Sequence, residues 1–242
     1  MPYMNTGVAL YFIDALFPRR CPVCGDIVIP KGQLICPPCL KELSFVKSPM
    51  CKKCGKEVMS DTMEYCFDCT RHKRTFDYGI SLLNYNKAAK NAIAAIKYKN
   101  KREYLDFFIE AALHFCGKRL SDMRADALIP VPVHPSRLRQ RGYNQAQLLA
   151  EGLGKGLLLP VLTDVLIRDR KTDPQKALSP AERLKNLEKA FAAENIPPGL
   201  ETVILVDDIY TTGSTVEACA RILKRSGIKK VFFFAVCIGQ GQ

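Results

Sequence analysis

The sequence predicts an α/β protein, a mainly parallel sheet flanked by helices, preceded by a small cysteine-rich segment. Three observations carry that prediction. From Phe76 onward, apolar runs of strand length alternate with stretches of helical period, the pattern of a doubly wound sheet. One run, Val203-Ile204-Leu205-Val206, is apolar at every position, as a parallel strand buried on both faces requires. Before Phe76, eight of the 11 cysteines fall into four Cys-x-x-Cys pairs.

Those pairs are Cys21/Cys24, Cys36/Cys39, Cys51/Cys54 and Cys66/Cys69. They form an internal repeat of period 30, each half reading Cys-x-x-Cys, eleven residues, Cys-x-x-Cys, and opening with Cys-x-x-Cys-Gly at Gly25 and Gly55. Such a turn presents two sulfurs on a tight loop, with glycine supplying positive φ. Two turns make one tetrahedral Cys₄ site, so two structural zinc ions are expected. The repeat favours sequential pairing, Cys21/Cys24/Cys36/Cys39 and Cys51/Cys54/Cys66/Cys69, over a cross-braced one. A redox dithiol is the competing reading, but thioredoxin-type motifs do not come in fours. Cys116, Cys219 and Cys237 stand alone and read as small buried hydrophobes. His72 reads as a solvated loop residue.

Residues 1–20 hold a short amphipathic helix in this reading, 21–75 the cysteine-rich module and 76–242 the α/β domain. Val8 to Phe17 spans about ten residues and contains Asp14, too short for a bilayer. It has neither the basic start nor the cleavage site of a signal peptide. Metal-binding thiols then imply a reducing, cytoplasmic setting with no membrane insertion. Within the larger domain Tyr78 to Tyr85 reads as a strand, and Asn86 to Tyr98 and Glu103 to Leu120 as helices. Ala127 to Val133 is a strand that Pro130 and Pro132 bend into a constrained loop. Asn144 to Leu153 is helical, Val161 to Ile167 a strand. Ser179-Pro180-Ala181-Glu182 opens a helix over Glu182 to Phe191 through a capping box with proline at its first position. Thr215 to Arg225 is a helix that stops at Gly227, followed by the strand Val231 to Ile238. Gly152, Gly154 and Gly156 read as a turn after a helix, with no dinucleotide fingerprint.

The strand Val203 to Val206 ends at paired carboxylates, Asp207 and Asp208. A loop of Thr211, Thr212, Gly213, Ser214 and Thr215 follows, and Ser214 with Glu217 forms a capping-box signature for the next helix. Backbone N–H groups, hydroxyls and a helix dipole converging on one point favour a phosphate. Carboxylates just before it accept from sugar hydroxyls or hold magnesium. A ligand with ribose and phosphate satisfies both ends; the bland alternative is an ordinary βα turn with solvated aspartates. No Gly-Lys-Ser/Thr follows, so it is not a Walker loop.

Arg137, Arg139 and Arg141-Gly142 follow the proline-bent strand, and forked guanidiniums beside a glycine suit a pyrophosphate. A basic solvated loop is the plain alternative. His134, wedged before Pro135, reads as structural. Arg168 to Lys176 is a second basic stretch, either a mobile lid over an anion or a solvated linker.

The stretch from Val203 to Thr215 closely resembles the phosphoribosyl pyrophosphate (PRPP) signature of type I phosphoribosyltransferases. Taken in order, the four Cys-x-x-Cys pairs, Pro130-Val131-Pro132, His134-Pro135, Arg141-Gly142-Tyr143-Asn144-Gln145, then Gln175, Leu178-Ser179, Glu182-Arg183, Asn186, Phe191 and the signature resemble the ComF family over essentially the whole chain. That resemblance implies a double zinc ribbon joined to a type I phosphoribosyltransferase-like domain, and an association with DNA uptake in bacterial competence. It implies that Asp207 and Asp208 bind the ribose hydroxyls, directly or through magnesium, and that Thr211, Thr212, Gly213, Ser214 and Thr215 cradle the 5′-phosphate. Arg141 and Gly142 would fall in the pyrophosphate loop, making Arg141, Asp207 and Asp208 the catalytic candidates, and Arg168 to Lys176 in the lid.

The net charge is +12. Residues 1–76 hold 11 Lys and Arg against 7 Asp and Glu, and zinc-bound thiolates would cancel that excess. The larger domain keeps +8 for an anionic partner. Two functions follow: transfer of a phosphoribosyl group from magnesium–PRPP, or binding of single-stranded DNA as an adaptor of uptake proteins. Lys97, Lys99, Lys101 and Arg102, with Tyr85, Tyr98 and Tyr104 nearby, are the candidate DNA surface, against the alternative of solvated helix ends.

Overall fold

The computed structural model describes residues 18–168 and 187–239. The expected helix over Val8 to Phe17 and the Ser179 to Glu182 helix start lie outside the described residues. Each cysteine repeat carries one short helix after its third cysteine, α1 (Pro37–Glu42) and α2 (Phe67–Arg71). The larger domain runs β1 (Gly79–Asn84), α3 (Lys87–Tyr98), a 3₁₀ turn at Arg102–Tyr104, α4 (Leu105–Ser121) and β2 (Ala127–Pro130). Then come α5 (Pro135–Arg141), α6 (Gln145–Leu157), β3 (Leu166–Arg168), β4 (Phe191–Ala193), β5 (Thr202–Tyr210), α7 (Ser214–Arg225) and β6 (Lys230–Ile238).

Four strands form one parallel sheet in the order β1-β6-β5-β2. Alternation along β5 sorts its apolar run between two cores. Ile204 and Val206 pack with α3, α4 and α6 on one face, while Val203 and Leu205 pack with α7 on the other. The cysteine modules divide the same way. Cys21 and Cys39 of the first join the α3–α4–α6 core; Cys51, Cys54 and Cys66 of the second join the α7 core. The chain between them crosses the β1 edge, with Val46 N–H donating to Leu82 O at 3.0 Å and Asn84 N–H to Ser44 O at 2.7 Å. One ribbon therefore covers each face, and the connection seals the sheet edge.

Local chemistry explains the element ends. Asn86 and Asn144 cap α3 and α6 by accepting from Ala89 N–H and Ala146 N–H. His134 caps α5, with Pro135 at its first position. Cys116, Cys219 and Cys237 are buried in the cores, and His72 is exposed.

Several expectations change. Val161 forms only an isolated bridge to Leu128; the strand is confined to Leu166–Arg168, and it pairs antiparallel with β4 outside the main sheet. Phe191 opens β4 instead of ending a helix, though Leu187 to Ala190 is helical. The stretch of Arg137, Arg139 and Arg141 is helix α5, not loop, because Pro135 pre-sets the first turn. The strand does not stop at the acidic pair: β5 runs through both aspartates to Tyr210. The Ser214–Glu217 capping box does not form either. Gly213, at φ 75°, is the residue before α7, with no side-chain cap. Glu217 is 1% exposed and turns away to accept from Thr75 N–H (2.8 Å), Thr75 Oγ1–H (2.7 Å) and Arg221 Nε–H (2.8 Å). A buried carboxylate that accepts from three partly buried donors gains more than one backbone cap would give.

Gly152, Gly154 and Gly156 lie inside α6. They let α6 sit closely on its neighbours: a Cβ on Gly154 would approach Val161 Cγ2 at 2.7 Å and Leu159 O at 2.8 Å, and Cβ atoms on Gly152 and Gly156 would strike Ile109 and Leu113. We therefore predict that Gly154→Ala is destabilising by about 1–2 kcal/mol, despite the ~1 kcal/mol alanine gains in helix propensity. Urea unfolding that shows a stabilised variant would contradict this packing.

Candidate functional site

β5 lies inside the sheet, between β6 and β2, so its carboxyl end opens between helices from both faces. Strand alternation sends the paired aspartates to different surroundings. Asp208 is 5% exposed and faces the α3 side, where Lys97 Nζ stands 2.6 Å from its Oδ2. Asp207 Oδ1 accepts from Asp208 N–H at 2.8 Å. Its side chain keeps a partial opening to solvent, yet burial is the leading cause raising its carboxyl to about 8, and the Asp208 charge is the second. On that side lies Arg168, whose guanidinium is disfavoured by burial and by Arg137 and favoured by Asp207. Cys219, also beside Asp207, has its thiol pushed up by burial and then by the aspartate charge.

The loop after β5 is shaped by Gly213. Its left-handed backbone suits glycine, and a side chain there would run into the Tyr210 ring, which stacks on Phe233 at 4.7 Å. Thr211 and Thr212 are exposed, and Thr212 Oγ1 and Ser214 Oγ lie 2.9 Å apart. The first N–H groups of α7 therefore face the loop beside three to four hydroxyls, without a side-chain cap. Arg74 Nη2 donates to Thr212 O at 2.8 Å, and Thr75 is held by Glu217. The segment leaving the second ribbon thus grips the loop from behind.

Arg141 ends α5 and Gly142 is its left-handed cap. The Arg141 guanidinium bonds the Gln145 side chain and lies 5.8 Å from the Tyr98 ring. Tyr143 donates its hydroxyl proton to Ile96 O, and Arg102 stacks on Tyr143 at 4.3 Å. The end of α3 is therefore bound to the Arg141-Gly142 turn, and Asn144 Nδ2 ties that turn to Val131 O at the end of β2 (3.0 Å). Of the sequence candidates, Arg141, Gly142, Asp207, Asp208 and Thr211 to Thr215 gather at one end of the sheet. Lys97, expected with Lys99 and Lys101 on a DNA surface, stands with them, paired to Asp208. Its position four residues after the buried Ile93 was the available signal, since i and i+4 share a helix face. Of the lid segment only Arg168 is described.

Each cysteine set converges on a point. The sulfurs of Cys21, Cys24, Cys36 and Cys39 lie within 4.8 Å of one another, as do those of Cys51, Cys54, Cys66 and Cys69. Tetrahedral zinc with Zn–S bonds of about 2.3 Å needs sulfurs roughly 3.8 Å apart, and Cys54 Sγ to Cys66 Sγ is 3.6 Å. Gly25 and Gly55, at φ 81° and 73°, donate to Cys21 O and Cys51 O and close the two knuckles. The sites differ in burial: Cys24 is exposed, whereas Cys54 is 1% exposed in the core beneath Tyr210. Cys24→Ser and Cys54→Ser should each cost one zinc by metal analysis. Cys54→Ser should be the more destabilising by about 2 kcal/mol, or roughly 4–8 °C in Tm. It should also raise amide exchange at Thr212 to Glu217. Equal melting temperatures for the two variants would refute a bracing role for the second knuckle.

The chain matches the double zinc ribbon domain over residues 12–70 and the phosphoribosyl transferase domain over residues 139–242. It is 31% identical to competence protein F of Haemophilus influenzae over 223 residues, covering 89% of this chain and 95% of that protein. It is 28% identical to competence protein ComFC of Bacillus subtilis, covering 83% and 82% of the two chains. With the DNA utilization protein YhgH of Escherichia coli K12 the identity is 27%, covering 84% and 89%. Among solved structures, a purine phosphoribosyltransferase from Pyrococcus horikoshii matches 55% of this chain and 84% of its own at 18% identity and a TM-score of 0.32. The two tetrads that open the chain, the parallel sheet that follows and the match to competence protein F over nearly its whole length lead to one conclusion: the chain belongs to the ComF family and joins a double zinc ribbon to a phosphoribosyltransferase domain.

Proposed function

We propose that the protein binds magnesium–PRPP at the carboxyl end of β5 and transfers its phosphoribosyl group to a nucleophile, releasing pyrophosphate. The observation that carries the reading is the junction of Asp207-Asp208 with the uncapped start of α7, one end suited to a sugar diol and the other to a phosphate. In this reading Thr211 to Thr215 hold the 5′-phosphate through backbone N–H groups and hydroxyls. Asp207 and Asp208 accept from the ribose hydroxyls and fix the ring. Arg141 stabilises the pyrophosphate as the bond from the anomeric carbon breaks and positive charge grows on the ribose. A divalent cation fits Asp208, whose carboxylate already holds an ammonium at 2.6 Å, with Asp207 next to it in the same strand. Magnesium, when bound, would neutralise the departing pyrophosphate.

Binding of single-stranded DNA is the second reading, and one feature favours it. A groove of about 730 Å³ runs between the first knuckle and α3, lined by Arg20, Lys99, Lys101 and Tyr104. It lies apart from Asp208, so DNA would use a second surface. The names of the relatives, competence and DNA utilization proteins, support a place in DNA uptake. Among the described residues no helix is long and apolar enough to cross a membrane.

Two outcomes test these readings. Asp207→Asn should weaken magnesium–PRPP binding by on the order of tenfold or more, the loss of charged hydrogen bonds of about 1.5–3 kcal/mol. Its fold should be retained, because burial and Asp208 both oppose the native charge. Asp208→Asn is a poorer probe, since it strips a half-buried lysine of its counter-charge, and the site is not as solvated as a strand end usually is. Unaltered PRPP affinity by calorimetry in Asp207→Asn would remove the ribose-binding role. Lys99→Ala with Lys101→Ala should lower single-stranded DNA affinity and its salt dependence, by a slope of about 0.7 per phosphate contact, and leave PRPP affinity intact. Equal loss of both ligands would mean one shared site.

A further inference from the structure

Lys97 is the cation paired with the second aspartate of the acidic pair, and three facts define its position. Its Nζ is 2.6 Å from Asp208 Oδ2, the lysine being 18% exposed and the carboxylate 7% by side chain. It sits in the last turn of α3, whose inner face is fixed in the core by Ala89, Ala92, Ile93 and Ile96. The following residue, Tyr98, lies under the Arg141 guanidinium, and Ile96 O is held by Tyr143. One ammonium thus occupies Asp208 and is attached, through two adjacent residues, to the turn assigned to pyrophosphate.

An ion pair this sheltered is not a passive surface contact. Two charges taken largely out of water attract strongly, and either one left alone is costly. A divalent cation arriving at Asp208 must displace the ammonium, and the displaced ammonium, still half-buried, then needs another anion. The pyrophosphate of the same ligand supplies it, on the side where Arg141 waits. Resting on the PRPP reading above, we propose that Lys97 is an internal counter-ion. It holds Asp208 in the ligand-free protein, keeps free divalent cations off that carboxylate, and passes to the ligand's phosphates when the metal and the pyrophosphate enter together. The exchange conserves pairing: before it, ammonium with carboxylate; after it, metal with carboxylate and ammonium with phosphate. No covalent bond changes. The consequence is selectivity for the metal–ligand complex over either component alone.

This role predicts effects of opposite sign from one substitution. Manganese binding to the full-length, zinc-loaded protein, followed by electron paramagnetic resonance without PRPP, should strengthen on the order of tenfold in Lys97→Gln, because the competitor is gone. Magnesium–PRPP affinity of the same variant should fall by a similar factor. Lys97→Arg, which keeps the charge and guards against a folding artefact, should leave manganese binding near the native value. Asp208→Asn should abolish the gain when combined with Lys97→Gln. Manganese affinity that is unchanged or weaker in Lys97→Gln overturns the proposal, as does a parallel loss of both ligands. Should the native protein fail to bind PRPP while Lys97→Gln still gains manganese through Asp208, the counter-ion role stands and the PRPP reading falls.

Discussion

A parallel sheet is stable only when both of its faces are covered, and in this chain that requirement is met partly by metal-binding modules. The helices α3, α4 and α6 cover one face and α7 with the antiparallel β3–β4 pair covers the other, but the four strands also carry one cysteine tetrad on each side. A knuckle of some twenty residues has too little core to fold without its ion, yet here its sulfurs and their neighbours are part of the larger domain's interior. The two ribbons and the sheet are therefore one packed unit, joined by the strand-like crossing at Val46 and Asn84.

That arrangement reaches the candidate site. The chain leaving the second knuckle delivers Arg74 to the carbonyl of Thr212 and Thr75 to the carboxylate of Glu217, so the loop after β5 is fixed from the ribbon side. Lys56 and Asp68, 2.7 Å apart, tie that knuckle to its own helix. On the opposite face the end of α3 is secured to the Arg141-Gly142 turn through Tyr143. Two rigid connections thus converge on the strand end that carries Asp207 and Asp208. The same convergence separates the two carboxylates chemically: one is charge-paired by Lys97, while the other is pushed towards the neutral form by burial and by its neighbour.

Local sequence determined a good deal. The cysteine repeat set the sequential tetrads, because a Cys-x-x-Cys-Gly turn closes through its own backbone and needs only its twin. Strands β1, β5 and β6 and helices α3 and α6 were legible because continuous apolar runs and 3.6-residue periods are written over consecutive residues. So was the grouping of Asp207, Asp208 and the Thr211 to Thr215 loop, since a strand, a turn and a helix start in series must bring them together. Only the tertiary structure decided the rest, because those features depend on groups far apart in the chain. Glu217 left its expected capping position for Thr75, 142 residues away; the glycines of α6 became a close-packing face against Ile109, Leu113 and Val161; and Lys97 turned from a surface cation into the partner of Asp208. A short-range pattern records which groups a segment can offer, whereas the choice among partners goes to whichever satisfies the most buried charge, and that is settled only when the faces of the sheet close.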